Sequence, residues 1–221
     1  MMKTKERFFA ILGVFLLIVL FSMSSFAIGG APTEEPVVEP VVEPVVEPAV
    51  EPVVEEVKEP FIFSAETPVA MTAPGQAPEI AIISLLARRM NFEIKSENFL
   101  KPEGLEGMKT LIIILGASGK GLGAAGVDLQ EEVVRANELI ATCKEKGIKI
   151  IGMHLGGADR LGENSMVMLD VVTPHCDYVL VRSDGNKDGL FTKICSENKI
   201  PLTEIEKTTD ATDIIKAVFG L

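Results

Sequence analysis

The sequence predicts a flavodoxin-like, doubly wound α/β domain over residues 61–221, with a mostly parallel sheet of five to six strands and helices on both faces. From Pro68 onward, short β-branched or aliphatic runs alternate with segments of helical period. The run 111–115 is Leu-Ile-Ile-Ile-Leu, without polar alternation, as in a strand buried on both faces. A domain of this length can bury a core without disulfides or a structural metal.

The predicted elements alternate along the chain. Strands are predicted at 69–72, 92–95, 110–115, 148–153, 178–181 and 202–205. Helices are predicted at 78–90, 129–146, 163–172, 189–198 and 211–219. Asp128 to Glu131 resembles a capping box, Gly147 is expected to end the long helix, and Asp210 is expected to cap the last one. The flavodoxin-like strand order is chosen because the number of βα units suits it.

Residues 1–27 are predicted to be a signal peptide. Lys3, Lys5 and Arg7 precede an apolar run over 8–21, and small residues occupy the positions −3 and −1 of a cut after Ala27. The alternative is an uncleaved anchor, with membrane contact only through residues 8–27. Either way we expect an extracytoplasmic domain, secreted or anchored at the cell envelope.

Residues 28–60 are predicted to be a disordered Pro-rich linker. Residues 35–54 repeat Glu-Pro-Val-Val, with one Val replaced by Ala, and the prolines exclude regular helix and sheet. Repulsion between the glutamates favours a semi-rigid polyproline-II spacer of about 3.1 Å per residue. A stalk through a cell-wall layer and a linker without any partner are both consistent with this pattern.

Charge and cysteine content exclude some classes of function. The net charge is −11 and the domain has no cluster of Lys and Arg, so nucleic acid is not expected as a partner. Cys143, Cys176 and Cys195 are odd in number and lack C-x-x-C spacing, so we expect buried thiols rather than a disulfide framework or zinc site. A Cys143–Cys195 bridge stays open as an alternative.

Glycine-bearing polar segments follow four of the predicted strands. Because the carboxyl ends of parallel strands lie at one edge of a sheet, these segments are expected to meet there and to form a pocket for a small polar or anionic ligand. Glycines would let backbone N–H groups approach the ligand, and cationic side chains would supply charge. Short βα turns that happen to be rich in glycine are the alternative. The predicted binding residues are Thr72, Gln76, Gly116, Ser118, Gly119, Lys120, Gly121, Gly123, His154, Gly156 and Arg160.

Two nucleotide-binding motifs are matched only in part. Gly121 to Gly126 fits G-x-G-x-x-G, but it begins several residues after the strand, and the next predicted helix is capped by Asp128. The glycines are therefore expected in a loop, and dinucleotide binding is not favoured. A Walker loop is favoured still less, because the spacing of Lys120 is wrong and Gly121 occupies the position of the metal-binding Ser or Thr.

A hydrolase is the second functional hypothesis. Ser118 sits in a turn that resembles a nucleophile turn, although G-x-S-x-G would need glycine in place of Lys120. His154 is expected at the same edge of the sheet, whereas His175 precedes a strand and is expected at the opposite one. The candidate catalytic group is therefore Ser118 with His154, oriented by Asp159 or Asp184.

A calcium site is a weaker alternative. The segment 184–189 fits the start of a calcium loop, with Asp184, Asn186 and Asp188 as candidate ligands. The twelfth position is Cys195, so the bidentate carboxylate is missing, and Asp188 is equally suited to cap the next helix. No other cofactor is predicted.

The segments 116–126, 153–157 and 184–191 together resemble an exported bacterial family of unknown function, domain of unknown function 6305, over Thr67 to Phe219. The resemblance implies a bacterial, extracytoplasmic protein with one α/β domain. It implies no activity, cofactor or catalytic residue.

The first hypothesis is therefore a non-catalytic domain that binds a small molecule or cell-envelope component at the carboxyl edge of its sheet. The second is the Ser118/His154 hydrolase, and the third is a structural head on a stalk.

Overall fold

The computed structural model describes residues 63–221. The predicted signal peptide with its anchor alternative, and the Glu-Pro-Val-Val linker, lie outside the described residues. Within 63–221, every helix is too short or too polar to traverse a lipid bilayer.

The described domain is built on one sheet of six strands, all parallel. The strands are β1 (Val69–Thr72), β2 (Ile94–Ser96), β3 (Thr110–Ile114), β4 (Lys149–His154), β5 (Tyr178–Arg182) and β6 (Leu202–Ile205). Their spatial order is β2-β1-β3-β4-β5-β6, and every neighbouring pair is parallel. The first five positions reproduce the flavodoxin order, so the predicted fold class is confirmed.

In the described part of the chain, six α-helices join and cover the strands. They are α1 (Glu79–Arg89), α2 (Gly119–Ala125), α3 (Leu129–Lys146), α4 (Glu163–Val172), α5 (Leu190–Asn198) and α6 (Ala211–Phe219). Five of them match predicted helices to within a residue at each end, and α2 was not predicted.

The sheet is buried on both faces. Along β3, Leu111 and Ile113 belong to the core that contains residues of α3, α4 and α5. Ile112 and Ile114 belong to the core that contains residues of α1 and α6. All four side chains are almost fully buried, which is why this strand has no polar alternation in the sequence.

The chain enters the domain across the amino ends of the strands. The Phe63 ring stacks on Tyr178 at the start of β5, with ring centroids 4.9 Å apart. The Thr110 hydroxyl at the start of β3 donates a hydrogen bond of 2.7 Å to the carbonyl of Glu66. Described residues that precede β1 therefore lie at the edge opposite to the loops that follow the strands.

The helix ends confirm two predictions and correct a third. The Asp128 carboxylate accepts from the Glu131 N–H at 2.9 Å, and the Glu131 carboxylate accepts from the Asp128 N–H, so the capping box is present. Gly147 ends α3 in the left-handed conformation. Asp210 does not cap α6: its backbone is already helical, and its carboxylate accepts from the Lys207 N–H at 2.9 Å, closing the turn before α6.

The three cysteines are free and buried. The alternative of a Cys143–Cys195 bridge is thus not realised. Burial, with a further contribution from the charge of Asp177, raises the pKa of the Cys143 thiol to about 12, so this thiol is protonated and unreactive at neutral pH.

Candidate functional site

The four glycine-bearing segments do meet at the carboxyl edge of the sheet. Ser118 N–H donates to the Gly75 carbonyl at 2.9 Å, joining the loops after β1 and β3. A Cβ on Gly116 would lie 3.8 Å from the Arg160 carbonyl, and one on Gly185 would lie 2.9 Å from the His154 ring. The loops that follow β1, β3, β4 and β5 are therefore neighbours, as the parallel sheet requires.

The crevice between the loops of β1 and β3 is closed by the protein itself. Gly75 has φ of 92°, and a Cβ there would lie 2.7 Å from the Gly116 carbonyl oxygen. A Cβ on Gly121 would collide with the carbonyl oxygen of Gln76. Backbone meets backbone at both points, so the loops themselves occupy space where open α/β sheets commonly bind a ligand.

A buried ionic network underlies this closed crevice. Glu132 on α3 accepts hydrogen bonds from the Gly75 N–H and the Gln76 side-chain amide, both at 2.9 Å. Arg135 donates to both Glu132 oxygens, at 2.9 and 2.8 Å, and also to the Thr72 hydroxyl at 3.1 Å. Thr72 and Gln76 were predicted to bind a ligand; the network instead engages both, and both are buried.

The Glu132 carboxylate is held charged by this network. Burial acts to raise its pKa, but the hydrogen bonds from Arg135, Gly75 and Gln76 outweigh burial, and the pKa lies below its ordinary value. A carboxyl whose pKa is lowered on folding contributes stability that is complete above its unfolded pKa and is lost as pH falls through its folded pKa.

We therefore expect the free energy of unfolding to fall more steeply in the wild type than in Glu132→Gln as the pH is lowered from about 5.5 to about 3. This range is centred near the pKa of a glutamate in the unfolded chain, about 4.3. Urea unfolding of both proteins across this range measures the difference, since the other carboxylates are common to both. Parallel pH profiles would show that Glu132 has the same pKa folded and unfolded.

The segment 116–126 is mostly helical, which corrects the predicted loop. The Ser118 hydroxyl accepts from the Gly121 N–H at 3.1 Å and caps α2, and Gly126 ends α2 with φ of 68°. Gly121 and Gly123 thus lie inside a short helix and not in a turn before one. This placement differs from that of a dinucleotide fingerprint, in which glycines form the turn between strand and helix.

His154 is fully buried at the end of β4. Its Nδ1 lies 3.1 Å from the Leu115 carbonyl and its Nε2 lies 3.1 Å from the Gly157 carbonyl, while its ring packs on Phe191 with centroids 5.0 Å apart. Burial lowers the pKa of the imidazole, against the effect of the two carbonyls. A neutral imidazole carries a single N–H, so His154 donates to one of these two carbonyls while its ring lies between the loop after β3 and the loop after β4.

The proposed catalytic side chains have other partners in the structure. Ser118 caps α2, His154 contacts two carbonyls, and Asp184 accepts two hydrogen bonds of 2.6 Å from Arg182. The hydrogen bonds from Arg182 are the main reason why the pKa of Asp184 is lowered. The described residues hold no hydrogen-bonded Ser118–His154–Asp184 triad. His175 lies at the opposite edge, as expected, with Nδ1 3.0 Å from the Lys144 ammonium.

The candidate calcium ligands act as local structural groups. Asn186 Oδ1 accepts from the Phe191 N–H at 2.8 Å, and Asp188 accepts from the Leu190 N–H at 3.1 Å, so both stabilise the start of α5. Asp184 is paired with Arg182. In residues 63–221 no three His, Cys, Asp or Glu side chains are grouped so that they could hold a metal ion.

An open cavity of about 310 Å³ lies one strand further along, between the loops after β3 and β4. It is polar, and its walls come from the start of α2, the turn Gly157–Arg160 and the start of α4. The lining residues are Ala117, Gly119, Asp159, Arg160, Gly162, Glu163, Asn164 and Ser165.

Buried hydrogen bonds fix the base of this cavity. The Ser165 hydroxyl accepts from the Ala117 N–H at 2.9 Å and donates to the Ala117 carbonyl at 3.2 Å, joining α4 to the loop after β3. Arg160 Nε donates to Glu79 at 2.9 Å. A Cβ on Gly156 would overlap the Arg160 side chain, so glycine there allows Arg160 to fold against the backbone.

Of the predicted binding residues, Gly119 and Arg160 line the cavity. Gly116 and Gly156 pack behind two lining residues, Ser165 and Arg160. Lys120 and Gly123 are exposed on α2, away from the lining. Sequence reasoning missed the residues at the start of α4. The signal was available, because Gly162 to Ser165 continue the loop after β4 and so belong to the same edge of the sheet.

Three comparisons with known proteins bear on this domain. A family model described as Domain of unknown function (DUF6305) matches residues 66–219. No curated protein matches the chain.

Among solved structures, the chain is similar to a protein from Desulfitobacterium hafniense DCB-2 that is assigned to the lipolytic G-D-S-L family. The identity is 12%, the TM-score is 0.32, and the match covers 62% of this chain and 75% of that chain. It is also similar to a GDSL-like lipase of Bacteroides thetaiotaomicron VPI-5482, with 9% identity, TM-score 0.31, and coverage of 62% and 66%. Likeness at this level carries no argument about activity.

Proposed function

The chain belongs to the family described as Domain of unknown function (DUF6305), and we propose that its α/β domain is a non-catalytic binding module for a small polar ligand. The ligand occupies the cavity between the loops after β3 and β4. One observation carries the proposal: the carboxyl edge holds a polar cavity whose base is rigidly hydrogen-bonded, while the neighbouring crevice between β1 and β3 is closed.

A binding role is supported over catalysis by the state of the reactive groups. The buried histidine of this edge has both nitrogens on backbone carbonyls, and the nearby serine hydroxyl caps a helix. Neither group is positioned to activate the other for nucleophilic attack. What remains accessible around the cavity is a set of charged and amide side chains, which suit recognition.

We further propose that the domain works outside the cytoplasm, carried by the predicted signal sequence or anchor and its linker. Phe63 and the residues after it run along the amino edge of the sheet, and the cavity opens at the carboxyl edge. Phe63, the first described residue, and the cavity thus lie at opposite edges of the sheet.

A cavity-filling substitution tests the proposal. Gly119 lines the cavity and has only the Asn164 amide, at 4.0 Å, near the position of a Cβ. Gly119→Leu should therefore fill the cavity without straining α2. Gly123→Leu is the matched control, since it changes the same helix where a Cβ meets nothing within 4 Å.

The measurement is a thermal-shift screen of the full-length protein with free amino acids, monosaccharides, short carboxylic acids and inorganic phosphate, followed by calorimetry on each compound that raises Tm. We expect at least one such compound, with an affinity lowered tenfold or more by Gly119→Leu and unchanged by Gly123→Leu. A screen without binders, or equal loss in both variants, would refute the proposed site.

A further inference from the structure

Arg160 lines the cavity, and its guanidinium has more donors than its one hydrogen bond uses. Its Nε is committed to Glu79, and Glu79 itself is largely buried. Across residues 63–221 its two terminal nitrogens have no hydrogen-bond acceptor, and about a third of the side chain is exposed. A planar guanidinium with two free terminal N–H groups is suited to bind a carboxylate with two parallel hydrogen bonds.

Two carboxylates line the same cavity. They belong to Asp159 and Glu163; within residues 63–221 neither makes a side-chain hydrogen bond or an ion pair within 4 Å, and Asp159 interacts with Arg182 only through its charge. Arg182, the last residue of β5, already donates to both oxygens of Asp184. Asp159 and Glu163 are therefore available to accept hydrogen bonds from an ammonium group.

This lining is poorly matched to ligands of a single sign. A multiply charged anion would face the carboxylates of Asp159 and Glu163, and a dication would face the Arg160 guanidinium. A neutral sugar would bring no counter-charge for the Asp159 and Glu163 carboxylates, whereas Arg160 is already paired with Glu79. The volume of about 310 Å³ is at the small end of the range of about 300–1,000 Å³ for ligand pockets.

We infer that the ligand is a small zwitterion of the free amino acid class, whose carboxylate binds Arg160 and whose ammonium binds Asp159 and Glu163. This assignment rests on the proposed function, since it names the ligand class of the same cavity. The Asn164 amide, which also lines the cavity, is free to contact the remaining polar atoms of the ligand.

The experiment uses the full-length protein and the twenty common L-amino acids in a thermal-shift screen, with calorimetry on the strongest binder in three forms. These are the free amino acid, its N-acetyl derivative, which lacks the ammonium, and its amide, which lacks the carboxylate. We expect both derivatives to bind at least tenfold more weakly than the free form.

Variants assign each charge to its partner. Arg160→Gln should weaken the binding of the free amino acid until its affinity equals that of the amide. The free amino acid should still bind more tightly than its N-acetyl form. The double variant Asp159→Asn with Glu163→Gln should give the reverse pattern. The controls are Arg89→Gln and Asp170→Asn, which remove exposed charges outside the cavity and should change neither ratio.

The outcomes separate this inference from the proposed function. One outcome is that no amino acid binds with a Kd below about 10 mM, while a monosaccharide or inorganic phosphate binds and Gly119→Leu weakens that binding. The zwitterion assignment is then wrong, and the proposed site stands. Equal affinity of the three forms would also overturn the assignment. Failure of every compound in the wider screen would overturn both.

Discussion

Replacing Glu132 by alanine is expected to lower the free energy of unfolding by about 3–5 kcal/mol, because it leaves the Arg135 guanidinium charged and unpaired inside the domain. The Glu132 side chain is 3% exposed and that of Arg135 is 11% exposed. The same change removes the acceptor of the Gly75 N–H and of the Gln76 amide, which are buried donors. Urea unfolding at pH 7 measures the loss.

The control for this prediction is Glu138→Ala, six residues further along α3. Glu138 is exposed, so its removal should change the free energy of unfolding by no more than about 0.5 kcal/mol. A loss below about 1 kcal/mol for Glu132→Ala would mean that water enters the network and that the crevice between β1 and β3 is open.

Gly75→Ala is expected to destabilise the domain by about 2–5 kcal/mol, from backbone strain and overpacking together. Its φ of 92° is unfavourable for any side chain, and the new Cβ would lie 2.7 Å from the Gly116 carbonyl oxygen and 2.9 Å from the Ala117 Cβ. Both neighbours belong to the loop after β3, so the substitution pushes the two loops apart.

The control Gly107→Ala measures the cost of a side chain at positive φ without the cost of a steric collision. Gly107 also has a positive φ, of 73°, but a Cβ there meets nothing within 4 Å. We expect only the backbone cost of about 1–2 kcal/mol. Equal losses of stability in the two variants, measured by urea unfolding, would contradict the tight contact between the loops.

The strands and most helices were predictable because their signals are local. The apolar run of β3 reports burial on both faces, and the capping box at Asp128 with Gly147 at the other end delimits α3. The parallel order then brings the four loops to one edge without any further information.

The helix α2 was missed because three of its seven residues are glycine, which is a poor helix former. Capping by Ser118 and tight contact with the loop after β1 compensate for that weak propensity.

The candidate site was predictable only as an edge of the sheet. Thr72 and Gln76 lie at the expected edge, but Glu132 and Arg135, more than fifty residues further along the chain, engage them in hydrogen bonds. No pattern in the sequence indicates that two charged residues of an amphipathic helix face inward. The same limit applies to His154, whose burial and two carbonyl contacts depend on how three loops pack.

The most direct test of the central claim is the location of the ligand. Backbone amide chemical shifts of the ¹⁵N-labelled protein, titrated with the strongest amino acid binder, should change at residues 117–119 and 159–165. Residues 72–76, in the closed crevice, should be unaffected. Changes concentrated at 72–76, or at the amino edge around 67–69, would contradict a ligand site between the loops after β3 and β4.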